Sequence, residues 1–324
     1  MGEINILILS AGRRVELIEC FRAASKEYGV KSKIITTDIS ETAPATYFSD
    51  VNYTVPKINE SGFIESIINI CLKEKVKMIV PTIDTELLLL SKNKDKIEKT
   101  GAKVLISDKK VIDICRNKVN TSIFFEKNNF LSPKVIDRKN INEKKYKFPL
   151  FIKPYDGSSS VNAFKVNNEY ELKFFLEYIK NPIVQEFIEG KEYTIDAFMD
   201  FDGNPINIVP RERLCTRAGE VLKGKVIKDR DLIDETKRLL NVLKPIGPIT
   251  IQCIKNKKGI IFIEINPRFG GGVPMSIKAG ANSPLNLYRL LNNEKLSYSE
   301  DYMDNLVSLR FDSAIFLDEK GDLI

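Results

Sequence analysis

Residues 260–275 read IIFIEINPRFGGGVPM. An apolar run carries one acid, Glu264, and then opens into Asn266, Pro267, Arg268 and a run of glycines. A carboxylate without a partner is costly in a buried strand, so a cation belongs beside it: an arginine, a lysine or a metal. Glu264 and Asn266 are two residues apart and share one face of the strand. The preceding apolar run PITIQCI (248–254) reads as its hairpin partner across the turn at 256–259, with Gln252 near the centre. Side chains on one face of paired antiparallel strands lie within about 5 Å of each other across the ladder. Gln252, Glu264 and Asn266 then offer three oxygens to a hard cation that also holds phosphate oxygens. The same residues admit a structural Glu264–Arg268 salt bridge instead.

Composition narrows the chemistry. The chain has 324 residues, 43% hydrophobic and 29% charged, ordinary for a globular protein with two or three packed units. It contains no histidine. That removes Ser-His and Cys-His pairs, histidine bases and histidine metal ligands. A metal must be held by oxygen, which favours Mg²⁺ or Mn²⁺. Five scattered cysteines form no C-x-x-C pair and read as buried free thiols, not as a disulfide frame or zinc site. The net charge of +6 comes from lysines interleaved with acids, as in KNKDKIEK, so nucleic acid is not an expected partner. No apolar run approaches a membrane span, and the opening MGEINILILS reads as a first strand and not as a leader. A cytoplasmic location without membrane contact is expected.

Strands and helices alternate up to about residue 110: INILILS (4–10), KIITTD (33–38), DVNYTV (50–55), KMIVP (77–81) and AKVLIS (102–107), with helical patterns over 14–28, 61–74 and 84–98. This is the signature of a parallel, doubly wound sheet. From residue 148 the style changes to closely spaced strands with helices over 168–179 and 231–243, an antiparallel α+β pattern. The expected division is 1–110 and 111–324, the second part splitting into a lid-bearing subdomain (111–190) and a larger metal-binding one (191–324). The Lys/Asn-rich stretch 138–147 reads as an exposed connector, and 312–324 as a last strand and turn.

Three further stretches bear on phosphate chemistry. In FPLFIKPYDGSSS (148–160) a strand ends at Lys153, and a Gly/Ser turn offers backbone N–H groups and hydroxyls to phosphate oxygens. In VQEFIEGKEYTID (184–196) the edge Glu186-Phe187-Ile188 can bond an adenine through its backbone while apolar side chains sandwich the ring. Glu192, beyond Gly190, can accept from ribose hydroxyls. Lys118 sits in a helical run, 111–128.

In this order and at these distances the motifs resemble the ATP-grasp superfamily. Residues 1–110 resemble the Rossmann-like domain that precedes its ATP-binding module. R-F-G-G-G-V-P (268–274) and S-A-G-R-R-V-E-L (10–17) resemble the carbamoyl-phosphate-synthase large-subunit-like group. The resemblance implies that Lys118 and Lys153 contact ATP phosphates. Asp156, Gly157, Ser158, Ser159 and Ser160 form a flap over them. Glu186, Phe187 and Ile188 meet adenine, and Glu192 meets ribose. Glu264 and Asn266 bind magnesium with Gln252 contributing, and Arg268 stabilises the transferred phosphoryl charge. The implied activity is an ADP-forming carboxylate–amine ligase with an acyl-phosphate intermediate. A carbamate or carboxylate kinase and a non-catalytic ATP-binding regulatory module are the alternatives. The resemblance also allows a homodimer.

The substrates are expected to be a small carboxylate and an amine, held between the two units. Arg211 and Arg213, with Arg217 beyond them on VPRERLCTRAGE (209–220), are basic candidates, the first two counted as catalytic with Arg268. Arg13 and Arg14 follow the first strand, where open α/β sheets bind ligands, and an arginine fork suits a carboxylate. Asp84 and Glu86 in PTIDTEL can hold an amine, or can simply favour a helix N-terminus. Asp38 lacks the G-x-G-x-x-G turn of a dinucleotide site, so NAD is not expected.

Overall fold

The computed structural model describes residues 2–157 and 161–324. Its first unit is a five-stranded parallel sheet of β1 (Asn5–Ile8), β2 (Ile34–Asp38), β3 (Val51–Thr54), β4 (Val76–Val80) and β5 (Lys103–Val104), in the order β3-β2-β1-β4-β5. All four residues of central β1 are buried, as a parallel strand covered on both faces requires. The helices Val15–Tyr28, Phe63–Glu74 and Asp84–Glu98 supply that cover. Asp38 serves the first turn: its carboxylate accepts from the Gly12 N–H at 2.8 Å.

The second unit is small. β6 (Leu150–Pro154), β7 (Phe164–Val166) and β8 (Pro182–Glu186) form an antiparallel sheet in the order β7-β6-β8. The helix Glu169–Tyr178 packs on it through a separate core that includes Leu150, Ile152, Leu172 and Val184. The third unit is a six-stranded antiparallel sheet of β9 (Lys191–Met199), β10 (Pro205–Arg217), β11 (Glu220–Val226), β12 (Gly247–Asn256), β13 (Gly259–Asn266) and β14 (Val307–Leu309), in the order β13-β12-β9-β10-β11-β14. The helix Arg230–Leu243 covers one face, burying Leu232, Ile233, Leu239 and Leu240. The strand classes thus follow the alternation read from the sequence.

Several details differ. The helices Lys109–Arg116 and Lys118–Lys127, expected with the lid, pack on the six-stranded sheet, where Phe125 stacks on Phe262 of β13 at 5.7 Å. The lid unit therefore begins after residue 130. The strand expected at 131–136 shrinks to a single bridge, Val135 to Gln185, flanked by the Ile136–Val184 and Glu186–Lys134 backbone bonds. The expected connector holds a short helix, Arg138–Asn142, capped by Asp137. Two unexpected helices, Val273–Lys278 and Ser283–Leu291, each carry a proline in the first turn, where its missing N–H costs nothing. The tail 312–324 forms a turn closed by a bridge between Leu317 and Leu323 in place of a full strand. Of the cysteines, Cys215 is exposed and the other four are buried, all as free thiols. No helix among the described residues is long and apolar enough to cross a membrane.

The parallel sheet and the six-stranded sheet share one core. Phe21 meets Phe269 edge-on at 5.9 Å and Tyr288 at 6.4 Å, and all three are essentially unexposed. The two larger units therefore form one wall of the molecule. Phe21→Ala is expected to destabilise it by about 3–5 kcal/mol, the usual cost of removing a buried phenylalanine. Urea unfolding should show both units melting in one transition, and a cost under about 1 kcal/mol would contradict the shared core.

Candidate active site

The β12–β13 register sets Gln252 opposite Glu264 and Thr250 opposite Asn266. Glu264 is half-buried, Asn266 is buried, and both line the same cavity as Gln252. Among the described residues no lysine or arginine nitrogen lies within 4.0 Å of the Glu264 carboxylate. The Glu264–Arg268 alternative is not formed. Arg268 instead spans the units: its Nη2 and Nε donate to Asp84 at 2.7 and 3.1 Å, and Nη1 donates to the Phe269 carbonyl at 3.2 Å. Asp84, expected to hold an amine, is thereby committed to a guanidinium. The oxygen set of Gln252, Glu264 and Asn266 fits a hard divalent ion, Mg²⁺ above all. It contains one charge, and no cluster of three acids, cysteines or histidines occurs among the described residues. Phosphate oxygens and water would have to complete an octahedral shell.

Two cavities meet at this hairpin. The first, about 190 Å³, lies between the small and six-stranded sheets. Phe151, Phe187, Ile188, Ile254 and Ile263 give it apolar walls, and Lys118, Lys153, Arg213, Glu186, Glu192 and Glu264 supply its charges. The Glu186 N–H donates to the Lys134 carbonyl at 3.0 Å, so that amide is not free to read a ligand. Lys118, capped into its helix by Asn117, donates through Nζ to the Gly157 carbonyl. Lys153 is buried, and desolvation pushes its ammonium down to about 8, against the pull of Glu264 and with the repulsion of Lys118. Asp156 is exposed and does not line the cavity. Ser158, Ser159 and Ser160 lie outside the described residues.

The second cavity, about 260 Å³, is polar and lies between the six-stranded sheet and the first turn of the parallel sheet. Arg14, Arg211, Arg213 and Arg268 line it with Asp84 and Glu220. Arg213, Gln252 and Glu264 belong to both cavities. Arg213 donates to Thr194 Oγ1 at 3.1 Å and to the Gly219 carbonyl at 3.0 Å, and approaches Glu192 at 3.4 Å. Burial lowers its pKa. Glu192 is thus an ion-pair partner as well as a cavity residue.

Arg211 departs from its expected role. It is 1% exposed, and its Nε and Nη2 are locked to Asp196 at 2.7 and 3.0 Å, while Ser276 donates to the same carboxylate at 2.6 Å. Only Nη1 has no partner. Gly272 is required beside it, since a Cβ there would lie 2.5 Å from Nη1. Gly270 is required likewise, its Cβ position being 2.7 Å from Thr250 Oγ1.

The remaining candidates separate. Arg14 Nη2 donates to the Thr82 carbonyl at 2.7 Å and reaches the chamber. Arg13 is exposed and does not line it. Arg217 pairs with Asp312 in solvent at 2.6 Å. Glu86 is corrected to a structural role. It is 0% exposed, accepts from the Thr82 and Ile83 N–H groups and from Ser10, and burial pushes it up to about 7. Glu220 and Asp196 were missed. Asp196, an acid within the alternating run EYTIDAF, carried the same signal as Glu264.

Family models match both halves of this arrangement. Residues 6–105 match the PylC-like N-terminal domain, and residues 179–308 match an ATP-grasp model described as belonging to a biosynthetic pathway with the Ter operon. The chain has the fold of ATP-grasp proteins. The carbamoyl phosphate synthase large chain of Thermoanaerobacter sp. (strain X514) is 25% identical over 279 residues, covering 79% of this chain and 25% of its own length. The chain thus spans about a quarter of the length of the curated relatives it matches. The biotin carboxylase domain of Hydrogenobacter thermophilus 2-oxoglutarate carboxylase, solved with MgADP and bicarbonate, is similar with a TM-score of 0.71 at 18% identity, covering 93% of this chain and 73% of that one. An L-amino acid ligase from Bacillus licheniformis is similar with a TM-score of 0.70 at 17% identity, covering 93% and 77%.

The Lys153 shift has a measurable consequence. A phosphate oxygen against the ammonium favours its charged form and raises its pKa. Below about 8 the lysine is charged before and after binding, and affinity is flat. Above about 8 binding takes up a proton, so affinity for a non-hydrolysable ATP analogue should fall by up to about tenfold per pH unit. Calorimetry between about pH 7.5 and 9.5 in two buffers checks this; unchanged affinity with no proton uptake would contradict it.

Proposed function

We propose that the protein is an ATP- and Mg²⁺-dependent carboxylate–amine ligase. One observation carries the reading: an apolar cavity with lysines and a polar chamber with arginines join at Gln252, Glu264 and Arg213. A nucleotide in the first cavity would direct its terminal phosphate to that junction, and an acid in the second would meet it there. The likeness to carbamoyl phosphate synthase large chains and to an amino acid ligase supports the same class.

In this reading the carboxylate takes the γ-phosphoryl group, giving an acyl phosphate and ADP, and an amine then displaces phosphate. Lys118 and Lys153 bind phosphate oxygens as point charges. Lys118 first exchanges its Gly157 carbonyl for them. Arg213 faces the reacting atoms from the shared wall and spreads the developing charge. Arg268 is a positioning residue that fixes the distance between the units through Asp84. Gln252, Glu264 and Asn266 hold Mg²⁺, which when bound neutralises phosphate charge. No protein nucleophile is needed, which suits a chain without histidine.

Glu264→Gln keeps the shape of the side chain and removes its charge. ADP release across a panel of acids and amines should drop about a hundredfold or more, roughly 3 kcal/mol of barrier, with the melting temperature kept. Retained turnover would overturn the metal assignment. Acid-dependent ADP release that no amine alters would favour an acyl-phosphate kinase, and nucleotide binding without turnover a regulatory module.

A further inference from the structure

We propose that Arg14 marks a subsite for a second, non-reacting carboxylate, so that the acid activated in the chamber is a small dicarboxylate. The inference rests on the ligase reading and names its substrate class. Four guanidinium groups line the chamber. Three of them face acids: Arg268 pairs with Asp84 at 2.7 Å, Arg211 with Asp196 at 2.7 Å, and Arg213 with Glu192 at 3.4 Å. Arg14 has no carboxylate within 4.0 Å among the described residues, and its Nη2 is held by the Thr82 carbonyl. The acids nearest to it are all engaged elsewhere. Glu220 pairs with Arg310 at 3.0 Å, Asp84 with Arg268, and Glu86 with backbone amides and Ser10.

Arg14 is half-buried, and a half-buried guanidinium without an anion is poorly compensated. Burial and the neighbouring Arg268 charge lower the pKa of Arg14 to about 10. An incoming anion relieves both effects and meets a planar fork suited to carboxylate. Arg211 lines the same chamber but is paired with Asp196, and its unpartnered Nη1 is buried beside Gly272.

Position separates this subsite from the reaction. Arg14 lines only the polar chamber, whereas Arg213, Gln252 and Glu264 line both cavities. An acid with one carboxylate at the junction has room to place another at Arg14. The chamber, about 260 Å³, is roomy enough for a short diacid.

The test is calorimetry on the full chain with Mg²⁺ and a non-hydrolysable ATP analogue present. The probes are malonate, succinate, glutarate and adipate, each beside its monomethyl ester. At least one diacid should bind about tenfold or more tighter than its ester. Arg14→Gln, which keeps a donor for the Thr82 carbonyl, should lose that preference while binding the nucleotide analogue as wild type does. Arg14→Lys should restore part of it. Esters that bind as well as diacids, no binding by any probe, or an unchanged preference in Arg14→Gln would each overturn the subsite and leave the ligase reading standing. Failure of the wild-type protein to bind the nucleotide analogue would overturn both.

Discussion

A carboxylate on a sheet needs a cation, and among the described residues no lysine or arginine nitrogen comes within 4.0 Å of Glu264. The constraint reaches far because the obvious partner is engaged elsewhere. Arg268, four residues on, is held by Asp84 from the parallel sheet. That pair joins residues 184 apart in sequence and leaves Glu264 facing the junction of two cavities. One ion pair thus does two things: it ties the first unit to the third, and it keeps the acid open to an external charge.

The surroundings keep that arrangement stiff. Asp196 sits on β9, two strands over from Glu264, and collects Arg211 and Ser276 in a network that is almost fully buried. Breaking one partner of such a network strands a charge in the interior, which typically costs about 3–5 kcal/mol. The network therefore fixes the chamber wall more than it adds stability. Behind it, Phe21, Phe269 and Tyr288 carry the core across the boundary between units. The small sheet has its own core and holds Lys153, so it is the part whose packing depends least on the others.

Much of this was legible in the sequence where periodicity is local. The β12–β13 hairpin follows from two apolar runs and a short turn, and its register from the shared face of Gln252, Glu264 and Asn266. The parallel sheet follows from alternating strands and helices, and central β1 from an unbroken apolar run. What was not legible depends on distant partners. Nothing near Asp84 signals that Arg268 will take it, and nothing near Glu86 signals that three donors will enclose it. The helices after residue 108 are short; the first is amphipathic and the second has no distinct apolar face. Only the facing Phe262 decides that they belong to the six-stranded sheet and not to the lid. Asp196 was readable by the same rule as Glu264, an acid in an apolar strand, but its partner is a protein guanidinium.

The most direct test is a crystal structure with Mn²⁺ and a non-hydrolysable ATP analogue, with the metal located by its anomalous signal. The expected result is an ion about 2.0–2.3 Å from oxygens of Glu264 and Asn266, with Gln252 in the first or second ring of ligands and phosphate oxygens completing the shell. An ion bound elsewhere, or Glu264 turned onto a protein cation with no room for a metal, would contradict the account.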